Sequence, residues 1–364
     1  MNVNWGHYTE DNGFGTHEFI QFCLLIGAEP YFAANVGPGS PQEFGDWIEY
    51  CNFPKGSTLS DERAANGSPE PFNIRYWVWA NELWGCGGNF QPEGAAAEFR
   101  RYATFANLIG SRGRLGMPRL YLVGCGPSGD DTRWTRGFMD TLAAKGPMPQ
   151  GYSMHYCEGG RRTPMQFSPD DMYTQFNLFP RVELALIHQR SLLDGYDPNR
   201  QIGLILDEWG VRDQMIQRET DERGLLWIQS PKPHRSRTAV KVEYDGERLP
   251  TAPQFGGRGG QQQQQQQATP SELSVSASRQ GSELIATFVN PRHDVDMDID
   301  CALRGETAKG AKAQMLHDSD INAANTFESP ERVVIKPHEV AAQGDRFRIT
   351  LPAMSVATVA VQLG

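Results

Sequence analysis

Two glutamates set the chemistry open to this chain. Glu82 closes the apolar run YWVWANE (76–82), and Glu208 lies near the end of IGLILDEWG (202–210). A buried carboxylate is costly unless it is paired, hydrogen-bonded or used. One such acid alone reads as a salt-bridged structural residue. Two at the ends of separate strands read differently, because a parallel α/β barrel opens all its strand C-termini on one face and draws catalytic groups from several of them. A pair of carboxyls about 5–5.5 Å apart is the equipment of a retaining glycosidase: one protonates the leaving oxygen, the other attacks the anomeric carbon. Asn81, beside Glu82, offers a hydrogen bond to a sugar hydroxyl. Trp84 and Trp209 offer apolar walls of the kind that keep a carboxyl protonated.

Competing chemistries find less support. GCGPSG (124–129) matches GxGxxG after a strand, but Asp130 and Asp131 follow where a pyrophosphate would sit, so the glycines read as a turn. The eight histidines show no HExxH and no ligand spacing, so no metal and no cofactor is expected. No GxSxG elbow is present. His155, on SMHYC (153–157), reads from periodicity alone as a core or rim histidine.

The elements that must position the glutamates alternate. THEFIQFCLLIG places Phe19, Phe22, Cys23 and Ile26 at helical spacing and stops at Gly27. Strand EPYFAAN (29–35) follows, then a helix over 41–50 with Phe44, Trp47 and Ile48 on one face. After strand 75–82 comes helix 92–110, then strand 119–126, the helix around RWTRGFMDTLAA, strand 151–157, and a helical stretch 170–193 that Pro180 is expected to kink. Strand 202–210 is the fifth. Strands separated by helical sequence are the signature of βαβ units around a buried parallel sheet. The fold class is α/β of the (β/α)8 barrel type, followed by an all-β sandwich. The sandwich is read from short alternating runs such as ELIATFVNP and ATVAVQL. We expect a partial barrel over 1–230, a connecting strand and glutamine-rich linker over 231–270, and a β-sandwich over 271–364.

Composition bounds the partners. With 364 residues, 39% hydrophobic and 21% charged, the chain reads as globular. Its net charge of −10 argues against a nucleic-acid partner, and no apolar run reaches a membrane span. The six cysteines are scattered, so reduced and mostly buried thiols are expected. The opening residues have neither the basic start nor the apolar core of a signal peptide. Localisation stays open between cytoplasm and export.

NGFGTHEF (12–19), EPYFAANVGPGS (29–40), DWIEYCN (46–52), YWVWANELWGCGGN (76–89), SMHYC (153–157) and LDEWGV (206–211) together resemble the α-L-arabinofuranosidases of glycoside hydrolase family 51. The likeness runs over about residues 4–229, and the C-terminal β region resembles that family's C-terminal domain. It implies a retaining, exo-acting enzyme that removes terminal arabinofuranose from arabinan, arabinoxylan or their oligosaccharides, without a cofactor. It implies Glu82 as general acid/base and Glu208 as nucleophile, with Asn81 on a sugar hydroxyl and His155 and Tyr156 lining the pocket. Asn35, at another strand end, is a weaker candidate. The likeness also implies a homo-oligomer in intact members.

The chain departs from the pattern in places. Five barrel strands are counted where the fold has eight. The family's opening Arg-Pro-Gly-Gly strand is missing, and GLLWIQ (224–229) runs directly into SPKPHRSR. Cys157 stands where a second aromatic is usual, and Ala80 where glycine usually precedes Asn-Glu. Two alternatives therefore stay open: another retaining glycosidase of the same barrel clan, and a truncated remnant that binds carbohydrate without catalysis.

Overall fold

The computed structural model describes residues 11, 13–109, 117–159, 167–212, 238–244, 249 and 272–364. The glutamine-rich tract and the stretch around GLLWIQ and SPKPHRSR lie outside them. Two compact units form, one from 1–157 with 184–209, the other from 158–183 with 210–364.

The first unit carries the parallel sheet. Its elements run α1 (Thr16–Ile26), β1 (Tyr31–Ala33), α2 (Pro41–Asn52), α3 (Thr58–Ala65), β2 (Tyr76–Trp79), α4 (Pro92–Ile109), β3 (Tyr121–Gly124), α5 (Thr132–Ala144) and β4 (Gly151–Gly159). They continue through α6 (Pro169–Phe176) and α7 (Pro180–Tyr196) to β5 (Gly203–Arg212), with α6 and the first turn of α7 counted in the second unit. The strand order β1-β2-β3-β4-β5 is sequential, which gives a curled parallel half-barrel. Helical crossovers between neighbouring parallel strands take one hand and lie on one face. Tyr31, Tyr76 and Tyr121 share one register row across β1, β2 and β3. Gly151 and Gly203 make room for the Tyr121 ring: a Cβ would fall 2.8 Å from that ring at Gly151 and 2.5 Å from its hydroxyl at Gly203.

The core lies between sheet and helices. Trp77 and Trp79, two apart on β2, point to the same side and are fully buried. Trp77 packs against Phe32, Phe44 and Trp47, and Trp79 against Phe99 and Tyr102. Each indole removes about 200 Å² from water, roughly 5 kcal/mol of apolar burial before entropic costs. This is the force that seats β2 and thereby the residues that follow it.

Three local features differ from expectation. On α1, Ile20 and Cys23 are buried, but Phe22 is exposed. Pro180 starts a new helix instead of kinking one, because its ring suits the first helical position. The short helix α3 was not anticipated. It has no apolar stripe and is held by Arg63, which is fully buried and gives all five N–H groups to backbone carbonyls: those of Ser68, Tyr50, Phe53, Pro54 and Pro69.

The second unit is largely antiparallel. It contains β6 (Thr238–Val240), β7 (Ser274–Gln280), β8 (Glu283–Asn290), β9 (Met297–Ala302), β10 (Ala308–His317), β11 (Lys336–His338), β12 (Ala341–Gln343), β13 (Arg346–Leu351) and β14 (Ser355–Leu363). One sheet runs β11-β10-β14-β8-β7-β6 and a second runs β12-β13-β9. Inward residues such as Phe288, Phe347, Leu351, Val359 and Val361 form one core. The connecting strand expected within 231–270 is β6, paired with β7. Helix α6 joins this unit through Tyr173, whose hydroxyl lies 2.8 Å from His293 Nδ1.

Candidate active site

The segment after β2 folds by a backbone device that its side chains do not advertise. Ala80 and Glu82 both adopt left-handed conformations, with φ of 70° and 46°, and Asn81 lies between them. The chain then wraps tightly: Gly85 N and Gly87 N both donate to the Glu82 carbonyl at 2.8 and 3.0 Å. Gly87 is required by closeness, since a Cβ there would fall 2.0 Å from the Asn81 carbonyl oxygen. The loop returns Cys86 beneath the glutamate, and its thiol donates to Glu82 Oε2 at 2.9 Å. Burial, together with the neighbouring Glu82, pushes the Cys86 thiol up to about 11, so it remains a donor.

Three carboxylates surround one imidazole. His155 is buried on β4, with Nδ1 3.2 Å from Glu82 Oε1 and 3.4 Å from Glu208 Oε2. Its Nε2 lies 3.5 Å from Asp207 Oδ1. One oxygen of Glu82, one of Glu208 and a ring nitrogen of His155 all fall within 4.8 Å of one another. Among the described residues this is the one such group of His, Cys, Asp and Glu close enough to consider as a cation site. A shared ring between two carboxylates equally serves acid–base chemistry, and we assign no metal to it. The Glu82 side chain is 20% exposed and that of Glu208 47%, so one carboxyl is sheltered and the other wet.

The remaining candidates divide. The Trp84 ring meets His155 edge-on at 6.2 Å and is half-buried. Tyr156 is half-buried beside His155 on β4, where strand alternation turns it to the opposite face. Trp209 and Asn81 are exposed beside the two glutamates. Asn35 is not drawn in: its side chain accepts from Gly37 N at 3.0 Å and closes a local turn. Of the GCGPSG glycines, Gly124 ends β3, Gly126 lies against the Ser153 backbone, and only Gly129 sits in a turn, after which Asp131 caps α5 by accepting from Arg133 N and Trp134 N.

Sequence reading passed over Asp207, Tyr31 and Cys86. Asp207 shared LDEW with Glu208, and only the glutamate was taken for the site. Tyr31 was one aromatic among many, and Cys86 one scattered cysteine. All six cysteines are free; Cys86 and Cys157 are exposed, against the expectation of mostly buried thiols.

Parallel strands that bring two carboxylates together, with an antiparallel region after them in sequence, are a layout that suits a glycoside hydrolase of the barrel kind. The comparisons give the family. A family model described as the alpha-L-arabinofuranosidase 1 domain matches residues 1–158, and one described as the alpha-L-arabinofuranosidase C-terminal domain matches residues 227–355. An intracellular exo-alpha-L-arabinofuranosidase of Bacteroides ovatus is 29% identical over 420 aligned positions, covering 100% of this chain and 78% of that protein. The fold matches a family 51 arabinofuranosidase from Xanthomonas axonopodis pv. citri with a TM-score of 0.73 at 24% identity, over 99% of this chain and 81% of the other. It matches an alpha-L-arabinofuranosidase of Thermotoga maritima, solved with arabinose, with a TM-score of 0.74 at 22% identity, over the same shares. The chain belongs to the α-L-arabinofuranosidases of glycoside hydrolase family 51.

Proposed function

We propose that this protein hydrolyses terminal, non-reducing α-L-arabinofuranosyl residues of arabinan, arabinoxylan or their oligosaccharides with retention, using Glu82 as general acid/base and Glu208 as nucleophile. The observation that carries the reading is the approach of one oxygen from each carboxylate to within 4.8 Å. That approach favours a retaining pair, with carboxyls about 5–5.5 Å apart, over an inverting pair, which needs about 6.5–9.5 Å between carboxyls to admit a water. Glu208, wetter and ionised, attacks the anomeric carbon as the glycosidic C–O bond breaks, and Glu82 gives its proton to the departing oxygen. Glu82, now a carboxylate, then takes a proton from water as that water attacks the same carbon and releases Glu208. Asn81 and Trp209 form the rim nearest the two groups, and Trp84 supplies an apolar edge. We read residues 1–230 as the catalytic portion, 231–270 as a connector and 271–364 as a β-sandwich.

The test is hydrolysis of an aryl α-L-arabinofuranoside by the purified chain, with the product anomer followed by NMR. Glu208→Ala should abolish turnover. Glu82→Ala should slow poor leaving groups far more than activated aryl groups, which need little acid help. Small, equal losses in both variants, or an inverted product, would overturn the assignment.

A further inference from the structure

The buried acid next to Glu208 has no role in the two-carboxylate scheme. Asp207 sits on β5 with its side chain only 12% exposed. Its Oδ2 accepts from the Tyr31 hydroxyl at 3.1 Å, a bond that joins β1 to β5, the first and last strands of the sheet. Among the described residues its buried Oδ1 has no hydrogen-bond partner, and His155 Nε2 stands 3.5 Å away. A buried acceptor left open is unfavourable, and hydrogen bonds of catalytic groups run long in ligand-free sites and tighten on binding.

The geometry points to Asp207, held by Tyr31, as a positioning residue that takes the Nε2–H of His155 and so turns an Nδ1 lone pair toward both Glu82 and Glu208. This rests on the assignment of those two glutamates given above. A neutral imidazole donates from one nitrogen and accepts at the other. With Nε2–H bound to Asp207, Nδ1 faces two carboxylate oxygens at 3.2 and 3.4 Å and needs one of them to carry a proton. Glu82 is the nearer and the more sheltered of the two, so this contact singles it out as the partner of Nδ1 in the acid role and leaves Glu208 as the carboxylate. That is the protonation state the first chemical step requires. When substrate enters, its leaving oxygen replaces Nδ1 as the acceptor of the Glu82 proton, while Cys86 keeps hold of Oε2.

The groups facing this relay are Tyr31 from β1, Glu82 and Cys86 from the loop after β2, Cys125 after β3, His155 from β4 and Glu208 from β5. Burial raises the Asp207 carboxyl from its ordinary value, opposed by His155 and by hydrogen bonds that include those from Tyr31 and Ser153. The Tyr31 phenol is pushed well up by burial and by Asp207, and so stays a donor.

Asp207→Asn tests the relay. An amide aimed at Nε2 donates where the carboxylate accepted, so the imidazole proton moves to Nδ1 and Glu82 loses its reason to stay protonated. Expected is a shift of the alkaline limb of kcat/KM to lower pH by about one unit. The loss should be larger on poor leaving groups than on activated ones. Tyr31→Phe should shift the limb the same way by less. The second readout needs no turnover: ¹⁵N NMR of the imidazole should show Nε2–H in the wild type and Nδ1–H in Asp207→Asn. An Nδ1–H wild type, or a pH profile unmoved in both variants, overturns the relay even when Glu208→Ala is dead. Full turnover in Glu208→Ala overturns the catalytic assignment instead, and the tautomer still judges the Asp207–His155 contact.

Discussion

Gly87→Ala is the sharpest test of how the site is built, because the same loop supplies its control. A methyl at position 87 would sit 2.0 Å from the Asn81 carbonyl oxygen and 3.0 Å from the Glu82 carbonyl carbon and oxygen. Ordinary contact begins near 3.4 Å, so the loop must open by about 1.4 Å, from 2.0 to 3.4. The atoms in the way are backbone, so no flexible side chain can swing aside, and the displacement falls on Asn81 and Glu82. Misplacing a catalytic group by 1 Å costs on the order of 10²-fold in rate, or about 2.7 kcal/mol of barrier. At Gly85 the nearest atom to an added Cβ is the Glu82 carbonyl oxygen at 3.8 Å, an ordinary contact. The assay is kcat/KM on an aryl α-L-arabinofuranoside for Gly87→Ala and Gly85→Ala, with thermal unfolding of each to separate misplacement from misfolding. Gly87→Ala should lose about a hundredfold while Gly85→Ala stays near wild type. A Gly87→Ala enzyme with more than half of wild-type kcat/KM would refute the reasoning, as would equal damage from both substitutions.

Further substitutions probe the frame. Arg63→Met strips five carbonyls of their donor and should cost about 3–5 kcal/mol in urea unfolding; a loss below 1 kcal/mol would mean that water replaces the guanidinium at little cost. Ala80→Val places a β-branched residue at φ 70° in a buried position and should cost about 2 kcal/mol or more. Ala80→Gly should be close to neutral, since relief of about 1–2 kcal/mol of strain is offset by a lost methyl and a looser unfolded chain. Cys86 is exposed yet protonated, so iodoacetamide at neutral pH should label it more slowly than a free thiol, and raising the pH toward 11 should speed the reaction.

The sheet was legible because its signals are strong and local. Trp77 and Trp79 at period two, the helix between each pair of strands and Gly27 past α1 each state one element without reference to the others. Where the pattern was ambiguous the reading slipped. FIQFCLLI is apolar on every side, so periodicity gave no reason to prefer Ile20 over Phe22 as the buried residue. TLSDERAA has no apolar face at all, since what retains α3 is a cation under five carbonyls. The two glutamates were legible as acids closing apolar runs, although β5 continues to Arg212, past Glu208. The relay behind them was not, because Tyr31 and Asp207 are 176 positions apart and meet only when the sheet curls. Left-handed backbone at Ala80 and Glu82 was hidden for a simpler reason: neither is a residue that advertises it.

The loop after β2 and the Glu208–Trp209 stretch of β5 differ in how freely they can be altered. Around Glu82, two left-handed residues, a close glycine and a thiol determine one another, so single changes there that disturb the backbone, such as Gly87→Ala, should cost much of the activity, and only those that fit it, such as Gly85→Ala, should survive. Trp209 is 56% exposed, next to Glu208, and Asn81 also faces solvent. A library that diversifies position 209 while leaving 80–88 intact therefore explores substrate preference at little risk to the chemistry, and selection for new arabinosides should find its successes there first.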